Sequence, residues 1–278
     1  MPNPTYSVLQ CTVIGNGRAG KARCRAINKM PNLSLSQHIP YRDLASKNAM
    51  ENWPADLITI CTANRSHFPL SKAALMAKKH VVVEFPPCDN AKQWKELVKL
   101  SVQNERVLHC GWIGLLSQAH QARKSFLRSH PVKSVRIHFQ GGYYRWLIEE
   151  AQRGHHSLLA IARIVSLWDI FGALQYETSQ VVHTDDGYDL TLTCTSASGV
   201  TIQLHEQRGA FKRRTDWDIQ MQNGQRWHPP QTEREPLFEK DFQILRETFA
   251  GTLPSFTNSQ VTAVYEFLDE IQKDLNPK

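Results

Sequence analysis

The residues near the start of the chain that are best suited to chemistry form the loop Gly15-Asn16-Gly17-Arg18-Ala19-Gly20. In a G-x-G-x-x-G turn the first glycine allows a sharp bend, the second lets the backbone approach a pyrophosphate, and the third permits close packing of helix on strand. The helix that follows offers unpaired N–H groups and the positive end of its dipole to the phosphates. All six residues are therefore predicted to bind a dinucleotide, with a relic or purely structural loop as the alternative.

The acid that usually completes such a site is missing. An Asp or Glu about 20 residues beyond the loop normally holds the ribose 2′-hydroxyl of NAD. Before Asp43, the chain offers polar and basic side chains instead, namely Ser34, Ser36, Gln37, His38 and Arg42. These side chains favour a 2′-phosphate, so we predict NADPH as the cofactor, with NADH bound more weakly. Arg42 is the candidate phosphate ligand, and a solvated loop arginine is an equal alternative.

The glycine loop must lie between a strand and a helix, and the surrounding pattern supplies both. Apolar runs alternate with helical segments through the first part of the chain. The predicted strands span residues 9–14, 56–62, 80–85 and 107–110, and the predicted helices span 21–29, 69–78 and 91–104. This alternation is typical of a doubly wound parallel sheet. We therefore predict an N-terminal NAD(P)-binding Rossmann domain over residues 1–116.

The pattern changes after residue 116, because strand-like runs now follow one another. They span residues 134–140, 175–183, 190–195, 201–207 and 216–222. An apolar stretch over 157–171, ended by Gly172, has the length of a buried helix, and apolar residues repeat at helical spacing over 259–275. We predict a second, α+β domain over residues 117–278, with a large, mostly antiparallel sheet that binds the substrate and a C-terminal helix at 259–275.

The composition narrows the classes of protein to consider. Of the 278 residues 41% are hydrophobic and 21% are charged, as in ordinary globular proteins, and no apolar run approaches the roughly 20 residues that span a bilayer. Because no such run is present and the first fifteen residues lack the charged start and apolar run of a secretion signal, we expect a cytoplasmic protein. Six cysteines without a CxxC pair indicate neither a zinc site nor a disulfide framework. The net charge of +7 favours an anionic partner, and a phosphorylated cofactor or an acidic small molecule explains it without nucleic acid or membrane.

Several segments together resemble biliverdin reductases, a branch of the Gfo/Idh/MocA oxidoreductase family. The resemblance covers nearly the whole chain. Its most specific pieces are Val13–Gly20, Thr62-Ala63-Asn64-Arg65-Ser66-His67, His80–Pro86, Val107–His109, Arg163 followed by Phe171–Leu174, and Gly209–Arg214. Compared with that family, the region from Met30 to Trp53 is short, so one strand and its helix are expected to be abbreviated.

Phe85 indicates the branch. Sugar dehydrogenases of the family carry Glu-Lys-Pro at this point, with the lysine serving in proton transfer, whereas biliverdin reductases carry Glu-Tyr-Pro. This chain has Glu84-Phe85-Pro86, which keeps the aromatic ring and loses the hydroxyl. The resemblance therefore implies reduction of the central methine carbon of biliverdin to give bilirubin, with no phenol as the proton donor at this position.

The resemblance also assigns roles to individual residues. Arg163 is implied to lie beside the bilin and is the candidate catalytic residue; the alternative is an arginine that pairs with a carboxylate at the domain interface. The further candidate cofactor residues are Thr62, Ala63, Asn64, His67, Glu84 and Phe85. The candidate substrate residues are Phe85, His109, Tyr143, Tyr144, Arg145, His156 and Arg163. For His67 a helix-capping role before Pro69 is an alternative, for His109 a structural histidine, and for the tyrosines a place in the core.

Two other functions remain open. One is a dehydrogenase of the same family that acts on a sugar or another small cyclic substrate, and Phe85 in place of lysine counts against it. The other is a protein that binds a bilin or a dinucleotide without turnover, which the missing ribose acid supports. We expect small-molecule partners only, and a monomer or weak dimer.

Overall fold

The computed structural model describes residues 8–44, 47–142, 144–209, 212–227, 235–254 and 256–275. The chain divides into two compact units. The first unit is Met1–Leu116 with Glu235–Asn258, and the second is Ser117–Arg234 with Ser259–Lys278.

The elements follow one another in this order. The chain begins with β1 (Leu9–Ile14), α1 (Arg18–Ile27), β2 (Leu33–Ile39), β3 (Leu57–Ile60), α2 (Asn64–Met76), β4 (His80–Val83), α3 (Ala91–Gln103) and β5 (Leu108–Cys110). It continues with α4 (Gln118–Ser129), β6 (Val132–Gly141), α5 (Arg145–Gln152), α6 (His156–Leu159), α7 (Ile161–Phe171), β7 (Leu174–Thr184), β8 (Gly187–Ser196), β9 (Thr201–Arg208), β10 (Arg214–Met221) and β11 (Arg226–Trp227). The last two helices are α8 (Leu237–Phe249) and α9 (Asn258–Leu275), and short 3-10 helices span Tyr41–Asp43, Lys47–Asn52 and Ile113–Leu116.

The first unit is built on a parallel sheet with strand order β2-β1-β3-β4-β5. All four residues of Leu57–Ile60 are buried, as expected for a strand covered on both faces. The predicted doubly wound parallel sheet is confirmed. Because all five strands run the same way, the loops after Ile14, Ile60, Val83 and Cys110 lie at one edge of the sheet, where α/β proteins bind ligands.

Strand β2 did not stand out in the sequence. Ser36, Gln37 and His38 are exposed, and β2 is an edge strand that pairs with β1 alone among the strands described, so its apolar pattern is weak. Two 3-10 helices, Tyr41–Asp43 and Lys47–Asn52, lead from β2 to β3. The shortening expected in this region therefore falls on the connecting helix, and the strand itself is present.

Helix α8 lies with the first unit, whereas the sequence boundaries placed residues 117–278 together. Phe242 and Leu245 of this helix are buried in one core with Val13, Ala26 and Val82. Their burial against β1, α1 and β4 explains the grouping. Nothing local in the sequence indicates which sheet an amphipathic helix will cover, because that choice depends on long-range contacts.

The second unit contains a six-stranded sheet of order β11-β10-β6-β9-β8-β7. The pairing of β6 with β9 is parallel and the other pairings are antiparallel, so the predicted mostly antiparallel sheet is confirmed as a mixed one. The helix expected over 157–171 is divided at Ala160 into α6 and α7. In the described part of the chain, no helix is both long and apolar enough to cross a membrane.

Candidate functional site

The glycine loop after β1 has a geometry that only glycine allows at two positions. Gly15 has φ of +109°, and a Cβ there would overlap the carbonyl group of Cys61. A Cβ at Gly20 would overlap the carbonyl oxygen of Gly15, so helix α1 can approach the loop only with glycine at this position. A Cβ at Gly17, in contrast, would meet no other atom within 4 Å. Gly15 and Gly20 are thus required by the fold, whereas Gly17 leaves an open space beside the loop.

This open space fits an anionic group. Asn16, Gly17 and Arg18 are exposed, Ala19 is half-buried, and α1 begins at Arg18 with no acidic residue in its first turn. The first backbone N–H groups of a helix have no partner within the helix, and the dipole there favours negative charge. The loop residues therefore fit the pyrophosphate of a dinucleotide.

The end of β2 shows what is available for the adenosine half of such a ligand. The ring Nε2 of His38 lies 3.0 Å from the carbonyl oxygen of Gly15, so this side chain supports the glycine loop. Arg42 is 83% exposed and lies 3.5 Å from Asp43, which is itself 54% exposed. An exposed guanidinium beside the strand end can contact a 2′-phosphate.

The segment after β3 carries the candidates Thr62, Ala63, Asn64 and His67. Helix α2 begins at Asn64, so Pro69 lies inside the helix, and the expected start at Pro69 is corrected. The amide Nδ2 of Asn64 is buried and has no hydrogen-bond partner among the described residues. A buried donor without an acceptor is uncommon, and a ribose hydroxyl would satisfy it.

His67 is buried, and both of its ring nitrogens face backbone carbonyl groups. Nδ1 lies 2.7 Å from the oxygen of Pro86, and Nε2 lies 3.0 Å from the oxygen of Thr62. The ring thus holds together the loops that follow β3 and β4. His67 lies inside α2 and does not cap it, because the helix begins at Asn64. Contact of its ring with the cofactor stays a prediction.

Two aromatic rings lie side by side at the ends of β4 and β5. Phe85 and Trp112 are stacked, with ring centroids 5.6 Å apart and planes inclined by 21°, and Phe256 meets Trp112 edge-on at 6.4 Å. Phe85 is partly exposed, whereas Trp112 is 7% exposed. Phe85 is a predicted site residue, whereas Trp112 was not predicted, although a tryptophan two residues beyond a strand end is the kind of signal that could have indicated it.

A buried network of charges lies beneath this edge. Arg23 of α1 is fully buried; its Nε donates to Glu84 Oε1 at 2.7 Å and its Nη1 donates to Asp241 Oδ2 at 2.5 Å. His109 Nε2 lies 2.9 Å from the other oxygen of Asp241. Burial alone would raise the pKa of Asp241, but the charges of Arg23 and His109 lower it to about 2. A Cβ at Gly111 would clash with the Arg23 guanidinium, so the glycine makes room for the network.

The network changes the interpretation of two predicted site residues. Glu84 and His109 were expected to face a ligand, but each is 9% exposed and bonded to another side chain of the network. Their geometry fits a structural role that fixes the strand ends. Arg23 and Asp241 were missed, although Arg23 could have been suspected because it shares the buried stripe of α1 with Gly20, Ala26 and Ile27.

Arg163, in the second unit, is held by a buried carboxylate. Its Nε donates to Glu206 Oε2 at 3.0 Å, its Nη2 donates to the same oxygen and to the carbonyl of Leu159, and its Cζ lies 4.2 Å from the ring centre of Phe139. Arg208 Nε donates to the other oxygen of Glu206 at 2.7 Å. Burial lowers the pKa of Arg163, and the charge of Glu206 opposes that shift. Arg163 is thus paired with a carboxylate, but the partner belongs to the same unit and was not expected there, and two guanidiniums share it.

The remaining substrate candidates lie in different settings. His156 is buried at the start of α6, where Tyr188 and His183 meet its ring edge-on at 4.8 and 5.2 Å. Tyr144 is 64% exposed and precedes α5, which begins at Arg145, so it lies at the start of a helix and not in the core. Tyr143 and the side chain of Arg145 lie outside the described residues.

Comparison with known proteins agrees with the resemblance stated from the sequence. Residues 36–112 match the model of the Gfo/Idh/MocA family, described as an oxidoreductase family with an NAD-binding Rossmann fold. Biliverdin reductase A of Mus musculus is 26% identical over 256 residues, which cover 86% of this chain and 85% of the relative. Biliverdin reductase A of Homo sapiens is 25% identical over the same shares. The predicted resemblance is confirmed.

Solved structures share the fold across almost the full length. Biliverdin reductase from Synechocystis, in complex with biliverdin and NADP+, has a TM-score of 0.80 at 20% identity and covers 97% of this chain and 99% of its own. A UDP-N-acetylglucosamine 3-dehydrogenase from Acidithiobacillus ferrooxidans has a TM-score of 0.77 at 15% identity, with coverages of 96% and 97%. At these identities the likeness establishes the fold, and enzymes with different substrates share it.

Proposed function

We propose that this oxidoreductase, with its NAD-binding Rossmann fold and biliverdin reductase relatives, is an NADPH-dependent biliverdin reductase. The reaction adds a hydride to the central methine carbon of biliverdin and a proton to a pyrrole nitrogen, which gives bilirubin. The observation that carries this proposal is Phe85, stacked on Trp112 at the end of β4.

Phe85 favours a bilin over a sugar as the substrate because its side chain has no ionisable group. A phenyl ring neither donates nor accepts a proton, so Phe85 cannot serve in proton transfer as the lysine of the sugar dehydrogenases does. Two other titratable residues were predicted at this edge of the sheet. These residues, Glu84 and His109, are both hydrogen-bonded within the network around Arg23 and Asp241. A flat, apolar surface of this kind fits a conjugated, planar substrate better than a polyhydroxylated ring.

The cofactor would be held by residues of the first unit. The loop Gly15–Gly20 would bind the pyrophosphate, Asn64 with Thr62 and Ala63 a ribose on the nicotinamide side, and Arg42 the 2′-phosphate that distinguishes NADPH from NADH. The orphaned Asn64 amide and the open space at Gly17 support this fit. When bound, NADPH supplies the hydride, and the protein's task is to orient it and to keep competing groups away.

The second unit would supply positive charge for an acidic tetrapyrrole. Arg163 and Arg208 share the single buried carboxylate of Glu206, which leaves an excess of one positive charge beside Phe139. Such a group binds a propionate or stabilises charge on a pyrrole nitrogen, whereas a guanidinium is a poor proton donor. We therefore propose Arg163 as an electrostatic catalytic residue, with the proton drawn from solvent.

The test is an absorbance time course of the purified protein with biliverdin and NADPH, run beside NADH and a reaction without enzyme. We expect a yellow product to replace the green substrate, faster with NADPH. Phe85→Tyr should retain activity, and Phe85→Lys should lose most of it because a charged side chain would replace an apolar surface. A green complex that never turns yellow, or oxidation of NADPH with sugars alone, would contradict the proposal.

A further inference from the structure

Trp112 lies at the end of the sheet where a dinucleotide bound to the glycine loop would place its nicotinamide. With the glycine loop at the end of β1, the adenosine half of such a ligand would extend towards β2, and the other half would extend over the ends of β3, β4 and β5. Trp112 follows β5 by two residues, and its ring is stacked on Phe85, which follows β4. The tryptophan therefore belongs to the same edge as the reacting end of the cofactor.

The indole N–H of Trp112 is buried and has no acceptor among the described residues. The two rings that pack against the indole, Phe85 and Phe256, offer no acceptor for an N–H. Buried donors are nearly always paired in folded proteins. Trp94, which is also buried in the first unit, obeys this rule, since its Nε1 donates to the carbonyl oxygen of Asn258 at 3.1 Å.

We propose that Trp112 orients the cofactor: its indole N–H donates a hydrogen bond to the carboxamide oxygen of the nicotinamide ring. The carboxamide oxygen is the acceptor carried by the nicotinamide ring itself, and an apolar setting lined by Phe85 and Phe256 suits this uncharged, planar group. Fixing the carboxamide fixes which face of the nicotinamide ring is presented to the substrate. This inference rests on the proposed cofactor site and not on the identity of the substrate.

The experiment is calorimetric binding of NADPH and of 2′,5′-ADP, which lacks the nicotinamide half. Trp112→Phe keeps an aromatic ring and removes the donor, so we expect about a tenfold loss of NADPH affinity with no change for 2′,5′-ADP. Trp94→Phe is the matched control and should change neither affinity, because its N–H is satisfied within the protein. An equal loss for both ligands, or no loss at all, would overturn the assignment.

A thionicotinamide analogue of the cofactor tests the hydrogen bond itself, because its sulfur is a weaker acceptor than oxygen. The unaltered chain should bind NADPH more tightly than the analogue, and Trp112→Phe should abolish that preference; a preference that survives contradicts the contact. If the variant does not fold, nitrogen-15 spectra of the unaltered chain replace it. One of the seven tryptophan indole signals should shift with NADPH and not with 2′,5′-ADP, and no such shift would refute the proposal.

A protein that shows this binding pattern but does not reduce biliverdin would refute the proposed substrate and leave the role of Trp112 intact. Reduction of biliverdin with no effect of Trp112→Phe on NADPH binding would do the reverse. The two proposals therefore fail separately.

Discussion

The two units each bury a cluster of charges, and the clusters have opposite balances. In the first unit one guanidinium, Arg23, lies between two carboxylates, Glu84 and Asp241, with His109 completing the network. In the second unit one carboxylate, Glu206, lies between two guanidiniums, Arg163 and Arg208.

The difference in charge balance favours a structural role for the first cluster and a ligand-binding role for the second. Arg23 joins the helix after the glycine loop to the end of β4 and to α8. It is fully buried, so its charge is neutralised by its partners within the protein. Arg163 and Arg208 retain one positive charge beyond what Glu206 neutralises, and both keep a small exposed part. An excess cation next to an aromatic ring is suited to an acidic, planar ligand. The first cluster should therefore govern stability, and the second should govern the substrate.

The largest effect is expected from removing the central cation of the first cluster. Arg23→Met leaves Glu84 and Asp241 buried without their shared partner, and breaking a buried pair in this way costs about 3–5 kcal/mol. Urea unfolding measures the loss. Lys29→Met is the control on the same stretch of chain: Lys29 is 63% exposed in its ion pair with Glu239, so that variant should lose less than about 1 kcal/mol. Equal losses in the two variants would remove the structural role of the network.

In the second cluster the main effect should be on turnover. Arg163→Ala should lower kcat with biliverdin by about a hundredfold, because a fixed positive charge that stabilises developing charge is removed. NADPH affinity should stay within twofold of the unaltered chain, and stability should fall less than in Arg23→Met, since Arg208 still pairs with Glu206. Arg163→Lys keeps the charge and should recover part of the activity. Unchanged turnover in the alanine variant would exclude Arg163 from the mechanism.

The pH dependence of stability should follow Asp241. In the folded protein its pKa is lowered from 3.8 to about 2. Ionised Asp241 therefore stabilises the fold above its unfolded pKa, and this stabilisation is lost as the pH falls through its folded pKa. The contribution is about 2 kcal/mol, lost between about pH 4 and pH 2. Asp241→Asn should flatten this part of the unfolding profile, whereas Asp43→Asn, at an exposed position, should leave it unchanged. A profile that Asp241→Asn does not alter would show that the network is not charged as described.

The smallest effect should come from Arg42, which belongs to neither cluster. Because Arg42 is 83% exposed, its contact with a ligand costs little desolvation free energy. Its single phosphate contact is worth about 1 kcal/mol. Arg42→Ala should therefore reduce the preference for NADPH over NADH by about fivefold without changing stability. Steady-state kinetics with the two cofactors measure the preference. If the ratio is unaltered, another residue distinguishes the cofactors.

The sequence predicted those parts of the molecule that depend on local pattern. The glycine loop, the buried strands and α7 are each marked by residues within a few positions of one another. The ion-pair partners in the two clusters are not marked by a local pattern. Arg23 and Asp241 are separated by 218 positions in the sequence, and Arg163 and Glu206 by 43. Their pairing depends on which surfaces α8 and α7 cover, and no periodicity within one element contains that information.

The same limit explains why the hydrogen-bond partners of three predicted site residues were not predicted. Glu84 and His109 are at strand ends, as predicted, but their neighbours on α1 and α8 occupy them. His67 follows β3, as predicted, yet the carbonyl groups of Thr62 and Pro86 take both ring nitrogens. Position along a strand is visible in sequence, whereas the partner of a side chain appears only when distant segments pack together.

Transfer of a hydride from the cofactor to the central carbon of a bilin can be followed with an isotope label. The protein is incubated with biliverdin and NADPH that carries deuterium on the transferred position of nicotinamide C4, and the product is examined by NMR and mass spectrometry. We expect bilirubin with one deuterium on its central methylene carbon. Unreduced biliverdin, or bilirubin without deuterium at that carbon, would contradict it.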